Sequence, residues 1–482
     1  MNYRMIFNII GRIICVEAVF MLPALAICLF TGDTAGALGF AAAIALSAAL
    51  GLPLALSRRA KGDLFAPDGF VTVGLAWIVV SAVGAVPFFV SGSIPNYIDC
   101  FFETVSGFTT TGASIVDNVE LLSKGILYWR SFTHWLGGMG VLVFVMALSP
   151  LAAKDSGESM HLLRAESPGI RITKLVPRMR RSAGILYTIY IILTILQFDL
   201  LLIGRMPVFD ALTISFGTAG TGGFGVRADS VASYSPYCQW VITIFMLVFS
   251  VNFNIYYMLL LRQARRAAKN EELRLFLFIV LLSTALITVN TARYFSGFEE
   301  NLRAAAFQVA SIISTTGFCT VDFDLWPQFS RVILVLLMFV GACAGSTGGG
   351  AKVVRVLVMF KTARRSIYKV LHPNSVSLIH MDGEVLDEET TASVNTYMAL
   401  YFLLFAGAFL LVSADGQSFE ATFTAVAACL NNIGPGLGAV GPTANFNCLS
   451  LFSKVVLSLS MLVGRLEIYP MLALFFPDMR RR

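Results

Sequence analysis

Four short strings of small polar residues, each closing on Gly, recur along the chain and are the residues best suited to chemistry. They are Thr109-Thr110-Thr111-Gly112, Ala219-Gly220-Thr221-Gly222-Gly223, Ser314-Thr315-Thr316-Gly317 and Asn431-Asn432-Ile433-Gly434. Gly lets the backbone take φ > 0 or approach closely, so that successive carbonyls can face one axis. Rings of backbone carbonyls replace the hydration shell of an alkali cation in potassium-selective filters. Thr hydroxyls can add oxygen ligands or tie the string to its surroundings. No Asp or Glu lies within a string, which argues against a carboxylate-ring site for divalent cations. Asp117, Asp229, Asp322 and Asp324 lie near enough in sequence to concentrate cations at a mouth.

A fifth Gly-rich string, Gly341 to Lys352, falls inside an apolar run and includes Gly345, Ser346, Thr347, Gly348, Gly349 and Gly350. It lacks the Walker spacing and a preceding βαβ unit, so a phosphate cradle is disfavoured. Glycines this dense interrupt a helix. The interruption is either a gate below a filter or a structural kink, and the gate is the favoured reading. Charges inside spans are costly and are usually paired or functional. Arg465 either faces the permeation path or pairs with Glu467 or with carbonyls of the interrupted loop. Lys352 and Arg355 are either inner-mouth charges or cytoplasmic anchors, and anchors are the favoured reading. His134, in His134-Trp135-Leu136-Gly137-Gly138-Met139-Gly140, reads as a satisfied polar residue on a packing surface.

The elements that must hold these strings are membrane helices. The 482 residues are 57% hydrophobic and 13% charged, about half the charge of a soluble domain. Ten apolar spans are predicted, near 5–30, 36–56, 70–91, 126–149, 183–204, 237–261, 274–296, 330–359, 394–414 and 451–476. The first is too long and too quickly followed by another to be a cleaved leader. Most of the 35 Lys and Arg fall in alternate loops, which places that side and both termini in the cytoplasm. The eight Cys and four His show no ligand or disulfide spacing, and the Cys read as small buried hydrophobes.

Each string follows a helix-compatible stretch: Asp99–Gly112, Asp210–Gly223, Ala304–Gly317 and Glu420–Gly434. About 11 helical residues cover about 16 Å and cannot cross a core of about 30 Å. Such a segment enters and turns back, and non-helical backbone survives there only inside protein or lining a wet cavity. Four of them in equivalent loops point to a duplicated unit arranged around a pore. Their C-terminal helix ends would favour a cation. The domain reading is an N-terminal helix pair (1–66) and four repeats at 67–168, 169–270, 271–385 and 386–482. A secondary transporter with alternating access, a symport coupled to protons or sodium, is the other reading, though it normally shows two halves. An enzyme is excluded by the want of a nucleophile–base pair or metal set in the spans.

FTTTGA, HWLGGMG, STTGF, GACAGSTGGGAKVVR, NNIGPGLG and GRLEIYP follow one another as in the Trk/Ktr/HKT superfamily. With its extra N-terminal helix pair, the chain resembles the TrkH/TrkG family, the membrane subunits of bacterial Trk potassium uptake, over its whole length. The resemblance implies an all-α fold of four M1–P–M2 potassium-channel-like repeats in pseudo-fourfold arrangement behind two extra helices. It implies a homodimer in the bacterial inner membrane and a cytoplasmic TrkA-type regulator with RCK domains, which alone would bind nucleotide. Potassium, with rubidium also permeant, is the implied cargo, and no covalent cofactor is implied. Filter roles carry over to Thr110, Thr111 and Gly112; Gly220, Thr221 and Gly222; Thr315, Thr316 and Gly317; and Asn432, Ile433 and Gly434. In the second string Gly222 and Gly223 both stand as candidates for the closing glycine. Gate roles carry over to 345–350 and Arg465.

Overall fold

The computed structural model describes residues 3–57, 66–138, 140, 179–375 and 377–475, and their regular structure is helical apart from one short hairpin. The N-terminal hairpin is α1 (Tyr3–Thr31) and α2 (Thr34–Leu56); α3 (Ala66–Gly84) and α4 (Val86–Val90) follow. Next come α5 (Tyr97–Phe108), α6 (Lys124–Gly138), α7 (Met179–Ile203), α8 (Val208–Ala219), α9 (Pro236–Ser250), α10 (Phe253–Leu260) and α11 (Ala264–Ala268). The second half runs α12 (Glu271–Thr291), α13 (Phe298–Ile313), α14 (Gln328–Val340) and α15 (Val353–Leu371). A two-stranded hairpin, β1 (His380–Met381) and β2 (Glu384–Val385), precedes α16 (Glu388–Val412), α17 (Phe419–Leu430), α18 (Leu451–Arg465) and α19 (Tyr469–Phe475).

Among the described residues, six helical stretches are long and apolar enough to cross a membrane: Tyr3–Thr31, Thr34–Leu56, Pro67–Val90, Gly184–Ile203, Glu271–Thr291 and Glu388–Asp415. Three of the remaining expected spans are not single helices, and each of the three is interrupted for a visible reason. In 237–261 the chain turns by 90° between α9 and α10, where Asn252 caps the second helix through Asn254 N–H. In 330–359 the helix stops at Val340 because Gly341 takes φ 71° and resumes only at Val353. In 451–476 it breaks after Arg465, with Glu467 and Ile468 at φ 52° and 71°. Within 126–149 the helix is described only to Gly138; Met139 and residues 141–178 lie outside the described residues, as do Arg58, Arg59, Lys61 and Arg480 to Arg482. The three spans seen to be broken follow the second, third and fourth strings.

Large apolar side chains fill the interior, among them Trp129, Phe102, Phe108, Phe307 and Phe318, all fully buried. Leu, Phe and Val are left on the outer faces of the long helices, such as Phe30, Leu281 and Leu403. That inversion suits a hydrocarbon surround, which solvates apolar side chains as well as a protein core does. Six of the eight cysteines are buried, as their apolar settings predict, whereas Cys15 is half-buried and Cys448 exposed.

Candidate functional site

Four short helices, α5, α8, α13 and α17, carry the strings, with 12, 12, 16 and 12 residues. At about 1.5 Å per residue none spans about 30 Å. Two start at side-chain caps, Asn96 accepting from Ile98 N–H and Ser418 from Ala421 N–H, which satisfies first-turn donors, whereas α8 starts at Pro207 and α13 at Gly297 without one.

All four end in one way. Thr111, Gly222, Thr316 and Ile433 donate their N–H groups to Ser106, Gly217, Ser311 and Ala428 at 2.9, 2.8, 2.9 and 2.8 Å. The preceding Thr110, Thr221, Thr315 and Asn432 donate to the carbonyls three residues back. This paired closure requires a left-handed residue at the turn. It falls on Thr110, Thr221, Thr315 and Asn432, with φ of 56°, 55°, 60° and 56°. Gly normally serves there, and each non-Gly residue costs about 1 kcal/mol or more. Two residues on, Gly112, Gly223, Gly317 and Gly434 take φ of 78°, 78°, 83° and 100°.

This pattern sets the register. Thr110–Gly112, Thr315–Gly317 and Asn432–Gly434 align as expected, but in the second string the matching triplet is Thr221, Gly222 and Gly223. Gly220 sits one place earlier, as the helix cap with φ −72°, matching Thr109 with φ −75°. The doubled Gly at 222–223 hid this offset, because sequence alone does not say which glycine has positive φ.

The strings close into a ring. A Cβ on Gly112 would lie 2.0 Å from the carbonyl oxygen of Gly222, one on Gly223 2.0 Å from that of Thr316, and one on Gly317 2.0 Å from that of Ile433. The circuit ends at Gly434, whose Cβ would lie 2.8 Å from the Thr111 carbonyl oxygen. Four equivalent carbonyls thus abut four equivalent glycines in cyclic order. The looser fourth contact makes the ring unequal.

The hydroxyls largely brace the strings. Thr109 and Thr111 share a 2.8 Å bond, Ser314 and Thr316 one of 2.6 Å, and Asn432 Nδ2 donates to Thr111 Oγ1 at 2.9 Å. His134 is fully buried; Nδ1 meets the Gly107 carbonyl at 2.8 Å and Nε2 accepts from Phe224 N–H at 3.2 Å. It therefore joins the first string to the second as a neutral ring, in line with a satisfied structural role.

Two ion pairs near the ring were not singled out in the sequence. Arg130 and Glu103 are buried 2.7 Å apart; Glu103 accepts from Ile115 N–H at 3.0 Å, and Arg130 lies over the Phe224 ring. Lys454 meets Asp99 at 2.7 Å. Asp99, Glu103 and Arg130 sit in apolar helices, and a charge in such a run was the signal available. Asp117 and Asp324, expected at a mouth, are spent on loops: Asp117 receives Asn445 Nδ2 at 2.8 Å, and Asp324 receives Gly438 N–H at 3.1 Å and pairs with Arg331.

The interrupted loop lies where the third and fourth short helices end. Gly349 N–H donates to Thr315 Oγ1 at 2.7 Å. A Cβ on Gly349 would sit 2.5 Å from the Asn431 carbonyl oxygen, and one on Gly348 2.9 Å from that of Ser314. Cys343 N–H reaches Ser250, and Gly345 O receives Phe253 N–H, so the loop also grips the bend between α9 and α10. Ala344 N–H is held by Glu272 at 2.7 Å.

Arg465 ties the interrupted loop to the end of α6. It donates to Thr347 O at 2.8 Å and to the carbonyls of Gly137 and Gly138 at 2.5 and 2.8 Å. Those glycines back onto the first two strings: a Cβ on Gly137 would be 1.9 Å from the Phe108 carbonyl oxygen, and one on Gly138 2.7 Å from Gly220 Cα. Of the pairings open for Arg465, the loop carbonyl holds, while Glu467 pairs with Arg355. Lys352 and Arg355 are therefore not anchors in water. Both are buried, Lys352 donating to the Gly348 carbonyl and Arg355 also stacking on Tyr397.

The family model for TrkH, described as a cation transport protein, matches residues 37–480. The chain is 36% identical to the Trk system potassium uptake protein TrkH of Salmonella typhimurium strain LT2 over 100% of both sequences. It is 30% identical to the Trk system potassium uptake protein TrkG of Escherichia coli K12, covering 98% of each. Its fold superposes on the crystal structure of the potassium transporter TrkH from Vibrio parahaemolyticus with a TM-score of 0.89, at 32% identity over the whole of both chains. A ring of four strings, with a glycine loop and an arginine beneath it, is thus set in a chain that matches these relatives from end to end, and the chain belongs to the TrkH family of cation transport proteins.

Proposed function

We propose that this multi-pass membrane protein takes up potassium through a gated pore whose filter is the ring of four strings. The observation that carries the reading is the cyclic abutment of the Thr111, Gly222, Thr316 and Ile433 carbonyls with Gly434, Gly112, Gly223 and Gly317. Carbonyl rings of this kind suit a monovalent cation stripped of water. The ends of four short helices add partial negative charge on the same side. In this reading each unit is span, short helix, string and span, giving four repeats after the N-terminal pair and ten crossings in all. Both termini face the cytoplasm, the chain works as an inner-membrane homodimer, and a TrkA-type RCK subunit acts on the loop at 345–350.

The filter set is Thr110–Gly112, Thr221–Gly223, Thr315–Gly317 and Asn432–Gly434, with the 345–350 loop and Arg465 as the closed barrier. Gly112→Ser and Gly317→Ser each put a side chain against a neighbouring carbonyl, at positive φ. Flux of potassium against sodium into liposomes holding each variant should show reduced selectivity. Wild-type selectivity in both would refute the filter assignment.

A further inference from the structure

Glu103 on α5 and Arg130 on α6 are closed off from solvent, with side chains 0% and 2% exposed. Beyond each other, they reach the backbone that leaves two of the strings. Glu103 accepts from Ser114 Oγ–H and from Ile115 N–H, both at 3.0 Å, just past Gly112. Arg130 donates to Ser114 Oγ at 3.2 Å and to the Gly225 carbonyl at 3.4 Å, and lies 4.1 Å from the centre of the Phe224 ring. Phe224 directly follows Gly223. His134, one turn along α6 from Arg130, accepts the Phe224 N–H. Two side chains on one helix face thus hold that residue by its ring and by its backbone.

The other units lack this link. The place of Glu103, seven residues before the left-handed turn, is taken by Ile214, Gln308 and Ala425. Gln308 repeats the local half of the brace, donating to Thr320 Oγ1 at 3.3 Å, twelve residues on, as Ile115 is from Glu103. Ile214 and Ala425 are buried and apolar. Among the four positions only Glu103 is charged.

A buried ion pair adds little net stability over well-packed apolar side chains, so joining α5 to α6 does not call for one. What it supplies is direction, because a planar guanidinium with five donors fixes several acceptors at once. The seam so fixed is the one where Gly112 meets the Gly222 carbonyl, next to Gly223, which meets that of Thr316. We infer that Glu103 and Arg130 are positioning residues for ion selectivity, holding the first two strings at a spacing that suits potassium. The inference rests on the reading of the ring as a filter. Sodium is the smaller ion and needs carbonyls drawn closer, and the brace resists that contraction.

The test uses full-length chains in liposomes. R130K keeps the charge and loses the fork. E103Q/R130M removes both charges together, so that neither is left buried alone. Each variant should melt as a folded protein and show potassium flux over sodium flux reduced severalfold from wild type. Gly112→Ser, measured alongside, reports on the filter itself. Wild-type selectivity in R130K and in the double variant, with selectivity lost in Gly112→Ser, would overturn the positioning role and leave the filter standing. Wild-type selectivity in all three would sink both. Variants that do not fold, or that lose both fluxes in equal proportion, would also overturn it and make the pair a packing element.

Discussion

At the scale of single residues, left-handed backbone is spent where the strings turn. Thr110, Thr221, Thr315 and Asn432 bear it without the relief Gly provides, which costs energy that the surrounding packing must supply. Their conversion to Gly would remove strain but also a side chain; for Thr315 that side chain accepts the hydrogen bond from the loop. Arg465 is the residue on which most converges, with three carbonyls from two elements. Arg465→Ala deletes a bridge from the loop to the first two strings, and basal potassium flux in liposomes should rise severalfold if that bridge closes the path. An unchanged rate would reduce Arg465 to a packing brace. His134→Ala leaves the Phe224 N–H without its buried acceptor, an omission worth about 1–3 kcal/mol. It should lower the melting temperature, read by thermal denaturation in detergent.

At the scale of elements, the broken helices are as informative as the intact ones. Each of the spans after the second, third and fourth strings is interrupted, and the breaks meet: the loop of 341–352 bonds to Ser250, Phe253 and, through Arg465, to the end of α18. The loop is therefore a shared part of several elements. Deleting Gly348–Gly350 removes the contacts with Ser314, Thr315 and Asn431. It should raise unstimulated flux while leaving the ring in place, and a well-folded deletion protein that stays closed would make the loop mere scaffolding. α12 adds a further hold, because Glu272 fastens Ala344 while its neighbour Glu271 pairs with Lys361 of α15. Motion of α15 is thereby linked to the loop at both ends.

For the whole molecule, the primary structure carried the helical membrane class and the positions of the four short helices with their strings, because both rest on local signals. Apolar runs declare spans through length and composition, and short helices followed by Thr-Gly strings declare themselves through period and turn chemistry. Three of the four triplets were legible to the residue, since each had one Gly in the closing position. What folding alone decided depends on partners far apart in sequence. The second triplet is set by which glycine meets the Thr316 carbonyl. Arg465 is held by the carbonyls of Thr347, Gly137 and Gly138, while Glu467 pairs with Arg355, 112 residues away. Lys352 and Arg355 lie buried instead of in water. A sequence names a charge, but only the packed structure says which oppositely charged or polar atoms come within reach of it, and in a low-dielectric interior that proximity decides the outcome.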